Sequence, residues 1–132
     1  MKYRNIIKKL VNESGTTSPE KLCKYLGIRL YYTKMNFMGF IVKINKIFHI
    51  FINSTLSRVT KDIVILHELG HYFFHSVDDD FLLMKDKILF AESRIENEAN
   101  AFAITAFSFL DNTYDYISEN DVKILDSLKR YI

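Results

Sequence analysis

The sequence has one cysteine, Cys23, in 132 residues, and only one proline and four glycines. A lone cysteine excludes an internal disulfide and a zinc site built from several cysteines, and it is compatible with a reducing compartment. The scarcity of proline and glycine leaves no tract typical of a linker between domains. We therefore expect one domain over residues 1–132, in which Cys23 is a small hydrophobe in a short helix.

Charge of one sign is not in excess either. The 18 lysines and arginines nearly balance the 16 aspartates and glutamates, so the chain lacks the dense positive field typical of proteins that bind nucleic acid or anionic lipid. Even the apolar run over residues 101–110 is too short for a membrane span. The first fifteen residues contain lysines, an asparagine and a glutamate where a signal peptide would be apolar. These absences predict a cytoplasmic protein without a signal peptide.

The chain does contain enough apolar residues for a core, at 48% against 26% charged residues. Ser18-Pro19-Glu20 is typical of a helix start, and Ser118 with Asp121 of a capping box. Apolar spacing predicts helices over residues 3–11, 19–26, 57–75, 92–109 and 118–132, and strands over residues 29–33, 39–44 and 47–53. We therefore predict an α+β domain in the order ααβββααα, with a small three-stranded sheet packed against helices and a third strand covered on both faces.

One segment, His67-Glu68-Leu69-Gly70-His71, has a pattern that suggests chemistry. Residues four apart on a helix stack on one face, with Cβ atoms roughly 5–6 Å apart, so two imidazoles at this spacing can bind one metal ion. Glu68 follows the first histidine, so its side chain lies beside the metal position but is not directed at the ion. This placement favours a role as the general base that takes a proton from an attacking water. The flanking residues 63–66 and 72–74 are apolar. A buried helix with three such polar groups is costly unless a metal satisfies them, and we predict a metal site.

A catalytic metal site of this kind needs a third protein ligand and an open position. The candidates are Glu92, Glu96, Glu98, His49, His75 and the acidic run 78–80. Glu96 is favoured because it shares a stripe of small and apolar residues with Ala99 and Ala103, the face that can approach another helix closely. Glu92 lies on the same stripe, but at a helix start, where the helix dipole already favours a carboxylate. Glu98 points to the opposite side, where we expect solvent.

The other candidates have simpler explanations than metal binding. His75 follows His71 by four residues, yet an imidazole near a helix C-terminus interacts favourably with the exposed carbonyls. His49 lies on a strand and is expected to pack or to form hydrogen bonds, while residues 78–80 lack the regular spacing of a calcium loop and are expected to be solvated. Two histidines and one carboxylate bind zinc, but they also bind manganese or iron, so the pattern does not select the ion.

The sequence also combines Ile52-Asn53 at a strand end, the motif that runs from His67 to Tyr72, and Glu96-x-x-Ala99-Asn100-x-Phe102-Ala103. This combination, together with the short helix that ends at Gly27, resembles the ImmA/IrrE family of metallo-endopeptidases from bacteria, prophages and integrative elements. The resemblance extends from about residue 5 to residue 110 and implies a zincin-like domain. It further implies the roles of four residues: His67, His71 and Glu96 as zinc ligands, and Glu68 as the catalytic glutamate.

The resemblance also implies that Asn100 hydrogen-bonds a ligand histidine, and that the protein is a zinc-dependent endopeptidase that cleaves a helix-turn-helix transcriptional repressor. The partner is then a protein, without direct contact to nucleic acid or membrane, and the oligomeric state is not indicated. Residues 106–111 depart from the family, because the proline that often ends this helix is missing. A function of another class stays open: a metal-containing binding or regulatory protein, or a toxin-like component of a toxin–antitoxin pair, that does not cut its partner.

Overall fold

The architecture is described for residues 2–75, 81–82 and 94–132 of a computed structural model. Over these residues the chain forms helices and strands with the following bounds: α1 Lys2–Ser14, α2 Pro19–Tyr25, β1 Arg29–Thr33, β2 Gly39–Ile44, β3 Ile47–Asn53, α3 Arg58–Phe74, β4 Phe81–Leu82, α4 Arg94–Leu110, α5 Glu119–Leu128 and a 3-10 turn Lys129–Tyr131. The predicted α+β class and the order ααβββααα are confirmed, with β4 as an addition. No helix in the described ranges is long and apolar enough to cross a membrane.

Helices α2, α3 and α5 begin where the sequence offers a side-chain cap. Ser18 accepts a hydrogen bond from the backbone N–H of Lys21 and is followed by proline at the first helical position of α2. Ser118 and Asp121 form the predicted capping box at the start of α5. Gly27, after the end of α2, has φ +76°, a left-handed conformation that a side chain disfavours. These local signals explain why the predicted helix starts agree with the structure.

The sheet has the strand order β1-β3-β2-β4. β2 and β3 form an antiparallel hairpin through Asn45 and Lys46, both at positive φ, while β1 pairs with β3 in parallel. The predicted three strands are therefore present, and β4 extends the sheet by pairing Leu82 with Val42 of β2. A strand of two residues is too short to show an alternating pattern, so the sequence did not reveal it.

The two faces of β3 are buried to different extents. Ile50 and Ile52 are fully buried against the helices. On the other face Phe51 is only half-buried, and its ring lies between those of Tyr31 and Phe40, with centroids 4.7 and 4.8 Å away. The expectation that β3 is covered on both faces is therefore only partly met. Rings from the neighbouring strands protect this second face.

Helices α3 and α4 pack closely against each other and form the centre of the molecule. Their approach is set by Gly70, because a Cβ atom placed there would lie 3.0 Å from the Cα atom of Ala99 and 3.3 Å from its carbonyl oxygen. Only two small residues allow two helix backbones to come this near. The close approach brings the first turn of α4 alongside the middle of α3, where the histidines lie.

Candidate metal centre

Helix α3 places His67, Glu68 and His71 in the interior of the protein. All three residues are fully buried. The four-residue spacing stacks the two imidazoles on one face of the helix, with ring centroids 4.9 Å apart and planes at 84°. Because hydrophobic residues such as Leu66 and Leu69 anchor the helix on either side, the position of both rings is set by the core. The predicted buried helix is confirmed.

Helix α4 brings a carboxylate to these two rings. The Oε1 atom of Glu96 lies 2.9 Å from Nε2 of His67 and 3.4 Å from Nε2 of His71, and Glu96 is itself buried. One donor atom from each residue can be chosen such that all three lie within 4.8 Å of one another. Two imidazole nitrogens and a carboxylate oxygen are ligands that zinc, manganese and iron accept. Taking such groups out of water is costly, and a cation among them offsets the cost. The residues fit a divalent metal ion.

Asn100, one turn after Glu96 on α4, orients the first histidine. Its Oδ1 atom lies 2.8 Å from Nδ1 of His67, and both side chains are fully buried. An amide oxygen can only accept, so Nδ1 of His67 carries the proton and donates it. When the ring is neutral, its Nε2 lone pair is then directed toward Glu96, as a metal ligand requires.

The second histidine has a different neighbour. Nδ1 of His71 lies 2.9 Å from Nδ1 of His75, and Nε2 of His75 lies 3.2 Å from Oε1 of Glu98. The hydrogen bond from His75 holds the pKa of the Glu98 carboxyl below its ordinary value of 4.5, against a smaller opposite effect of burial. The expectation that the ring of His75 interacts with helix carbonyls is therefore wrong, and the expectation that Glu98 is solvated is only partly met, because its side chain is 29% exposed. The packing of α4 against α3 brings these two side chains together.

Among the remaining candidate ligands, His49 is not part of this group. His49 lies on β3, and its Nδ1 atom is 3.1 Å from the hydroxyl of Tyr31, which agrees with the expected hydrogen-bonded histidine. Glu92 and residues 78–80 lie outside the described residues. A surface cavity of about 610 Å³ opens at the N-terminal end of α3, beside Arg58 and Asp62, whereas the two histidines lie in its C-terminal half. The residues that could hold a metal ion therefore lie away from this cavity.

Two features of the site were not found by sequence reasoning. The first is the chain from His71 through His75 to Glu98, which joins residues on two helices. The spacing of His71 and His75 was a usable signal, but the partner of His75 depends on how α4 packs. The second is the contact of Gly70 with Ala99, which no periodic pattern encodes. Both features depend on the relative position of α3 and α4.

Comparison with known proteins agrees with this geometry. Residues 23–130 match the family Peptidase_M78, described as the IrrE N-terminal-like domain. The chain is also 32% identical over 101 residues to "Uncharacterized immunity region protein 2" of Bacillus phage phi105, a match that covers 74% of this chain and 63% of that protein. No solved structure matches the chain significantly. Since the family match spans most of the sequence and includes every residue of the buried cluster, the chain belongs to the IrrE N-terminal-like peptidase family, as its resemblance to ImmA/IrrE proteins indicated.

Proposed function

We propose that this protein is a metal-dependent endopeptidase with zinc as its ion, and that it cleaves a helix-turn-helix transcriptional repressor of a prophage or mobile element. The observation that carries the proposal is the convergence of Nε2 of His67 and Nε2 of His71 on one carboxylate oxygen of Glu96, in a buried position. This arrangement offers three ligands and leaves further coordination positions to water and substrate. Membership in a peptidase family supports hydrolysis as the reaction.

His67, His71 and Glu96 would hold the ion. When bound, it polarises the scissile carbonyl and makes water a stronger nucleophile at neutral pH. Glu68 follows His67 directly on α3, so its side chain leaves the helix about 100° away from that of His67. This direction keeps Glu68 near the ligands without competing for their position. Its carboxylate takes the proton of the attacking water and returns it to the leaving amine.

Asn100 keeps the ligand geometry productive. Its Oδ1 atom accepts a hydrogen bond from Nδ1–H of His67, which holds that ring in the tautomer with its lone pair on Nε2. A side chain that cannot accept this proton would allow the ring to rotate or to adopt the other tautomer. The role assigned to Asn100 is therefore orientation of a ligand.

Two observations favour a protein substrate: the similarity of the chain to a phage immunity region protein and its small net charge. A relative is named as an immunity region protein of a phage, and this supports a role in the control of a phage or mobile element. The net charge of +2 gives the chain no strong field for nucleic acid, which favours a protein partner. The chain spans 63% of the length of that relative. Because the match covers only part of that relative, the substrate and the partners of the whole protein are proposals.

The test is Glu68→Gln, incubated with purified repressor from the same element and followed on a gel. Without a carboxylate to move the proton, we expect cleavage to fall by about 10²–10⁴-fold, while metal analysis of the purified protein still finds one equivalent of zinc. Glu119→Gln makes the same chemical change at an exposed position of α5 and should cleave at the rate of the unchanged protein.

Two results would contradict the proposal. If Glu68→Gln cleaves the repressor as fast as the unchanged protein, Glu68 is not the base. If the unchanged protein forms a stable complex with the repressor and yields no fragments, the protein is a binding or toxin-like component and not a peptidase.

A further inference from the structure

The second ligand histidine is in contact with an ionisable pair that is not needed for the general-base role of Glu68. We propose that His75 is a positioning residue: its Nδ1 atom accepts a hydrogen bond from Nδ1–H of His71, and Glu98 sets the direction of this hydrogen bond. The inference deepens the proposed function, because it rests on His71 as a metal ligand. It assigns to His71 the kind of support that Asn100 gives to His67.

The direction of the hydrogen bonds that run from His71 through His75 to Glu98 follows from which atoms can donate and which can only accept. Nε2 of His71 lies 3.4 Å from Oε1 of Glu96, so it must present a lone pair if it is to bind a cation. The proton of His71 is then on Nδ1, which lies 2.9 Å from Nδ1 of His75. Two imidazole nitrogens at this distance need one donor and one acceptor. Nδ1 of His75 must therefore be the acceptor.

Glu98 favours the tautomer of His75 in which Nδ1 is the acceptor. A neutral imidazole that accepts at Nδ1 carries its proton on Nε2. Nε2 of His75 lies 3.2 Å from Oε1 of Glu98, and an ionised carboxylate can only accept. The proton is thus drawn to Nε2 of His75, and Nδ1 is left to accept from His71. The ammonium group of Lys2, 4.0 Å from the other oxygen of Glu98, favours the ionised form of that carboxylate.

The backbone holds the two rings together. His75 is the C-cap of α3, with extended φ and ψ of −131° and 144°, and its N–H donates to the carbonyl of His71 at 2.9 Å. The ring of His75 is tilted at 53° to that of His71 with centroids 5.0 Å apart, and its side chain is only 8% exposed. His75 is therefore shielded from water, although it lies at the C-terminal end of α3. A buried hydrogen bond of this kind orients a ring more firmly than an exposed one.

His75 is not itself placed to bind the same ion. Among the described residues, the group whose donor atoms lie together is formed by His67, His71 and Glu96. One ring nitrogen of His75 faces His71 and the other faces Glu98. Both of its polar atoms are used in orienting the ligand. This distinguishes a positioning residue from a fourth ligand.

The experiment measures metal binding and does not need the substrate. His75→Leu removes the acceptor, and His75→Gln replaces it by an amide oxygen, the same kind of acceptor that Asn100 offers to His67. We measure the zinc affinity of each metal-free variant by competition with a chromophoric chelator, and the visible spectrum of each Co(II) form. Loss of a ligand-orienting partner typically weakens metal binding 10–100-fold. We expect such a loss and a changed Co(II) spectrum for His75→Leu, and recovery of most of the affinity for His75→Gln.

Matched controls separate orientation from folding. His49→Leu removes a half-buried histidine on the sheet, which contacts Tyr31, and should leave the zinc affinity unchanged. Glu98→Leu should weaken zinc binding, as His75→Leu does, because it removes the carboxylate that sets the direction of the hydrogen bond between His71 and His75. A variant that only destabilises the fold lowers the melting temperature of the metal-free protein without changing the Co(II) spectrum.

The outcomes are distinct from those of the proposed function. If His75→Leu binds zinc as tightly as the unchanged protein and gives the same Co(II) spectrum, the inference is wrong while the metal site stands. If His75→Leu binds zinc 10–100-fold more weakly than the unchanged protein, but no repressor is cut, the inference holds and the peptidase proposal fails. If the unchanged protein binds neither zinc nor Co(II), both are overturned.

Discussion

At the scale of single residues, the geometry of the candidate metal site depends on a glycine as much as on the three residues that could bind the ion. Gly70 lies between Glu68 and His71 in sequence, and it is where α3 meets the backbone of α4 at Ala99. The carboxylate of Glu96 is three residues before Ala99 on α4. The distance from Glu96 to the two imidazoles therefore depends on how closely the helices approach at this one point.

This dependence predicts the effect of Gly70→Ala. The added methyl group would lie 3.0 Å from Cα of Ala99 and 3.3 Å from Cβ of Phe102, and a backbone atom cannot rotate away as a side chain does. We expect a loss of about 1–3 kcal/mol in the free energy of unfolding from overpacking, although alanine favours a helix by about 1 kcal/mol over glycine. Zinc affinity should fall as well, because α4 moves outward together with Glu96.

Urea unfolding of the metal-free protein and zinc titration measure these two effects of Gly70→Ala. Asn97→Ala, at an exposed position of α4, is the control and should leave zinc affinity unchanged. A Gly70→Ala protein with unchanged stability and unchanged zinc affinity would contradict the close-approach argument.

At the scale of elements, one carboxylate joins the beginnings of two helices. Asp121 accepts hydrogen bonds from the hydroxyls of Ser57 and Thr60, at 2.5 and 2.6 Å, and from the backbone N–H of Ser118 at 2.9 Å. Burial raises the pKa of Asp121, but these hydrogen bonds together outweigh burial and hold the pKa below its ordinary value of 3.8. The start of α5 is thereby attached to the start of α3, the helix that carries the histidines.

This arrangement predicts how stability depends on pH. Because the pKa of Asp121 is lower in the folded state, its carboxylate stabilises the fold above pH 3.8, the ordinary value, and this contribution is lost as the pH falls through the lowered pKa. Asp121→Asn should reduce the free energy of unfolding at neutral pH by about 1–3 kcal/mol, since it disturbs buried hydrogen bonds. It should also make the stability fall less steeply in acid.

Denaturant unfolding of the metal-free protein between neutral pH and about pH 3 tests the prediction for Asp121. Asp126→Asn changes an exposed aspartate of α5 and is the control. Parallel pH profiles for Asp121→Asn and the unchanged protein would show that Asp121 does not contribute in this way.

Contacts between neighbouring residues could be predicted from the sequence, whereas contacts between distant elements could not. The capping box of Ser118 and Asp121 and the cap at Ser18 were predictable, because they depend on neighbours within a few residues. Helical periodicity also placed Glu96 on the stripe of small residues, and the structure brings this residue close to the two histidines. The bonds from Asp121 to α3 and from His75 to Glu98 join residues far apart in sequence, so they depend on tertiary packing that periodicity does not describe.

At the scale of the whole molecule, the candidate metal ion would join the two helices that form the centre of the fold. His67 and His71 lie on α3 and Glu96 lies on α4, and the unfolded chain does not hold these residues together. An ion that binds only the folded protein stabilises it, by about 2.7 kcal/mol at a free concentration one hundred times Kd. For a domain of this size, we expect zinc to raise Tm by roughly 10 °C.

The zinc-dependent shift in Tm also tests Glu96 without any need for a substrate. Glu96→Gln replaces the carboxylate by a weaker neutral ligand, so zinc should shift its Tm by much less than it shifts that of the unchanged protein. Glu119→Gln, exposed on α5, should keep the full shift. Differential scanning calorimetry with and without zinc measures each shift, and equal shifts for Glu96→Gln and the unchanged protein would remove Glu96 from the site. Because His67, His71 and Glu96 lie on both central helices, an ion held by them would stabilise the core through the same contacts that bind it.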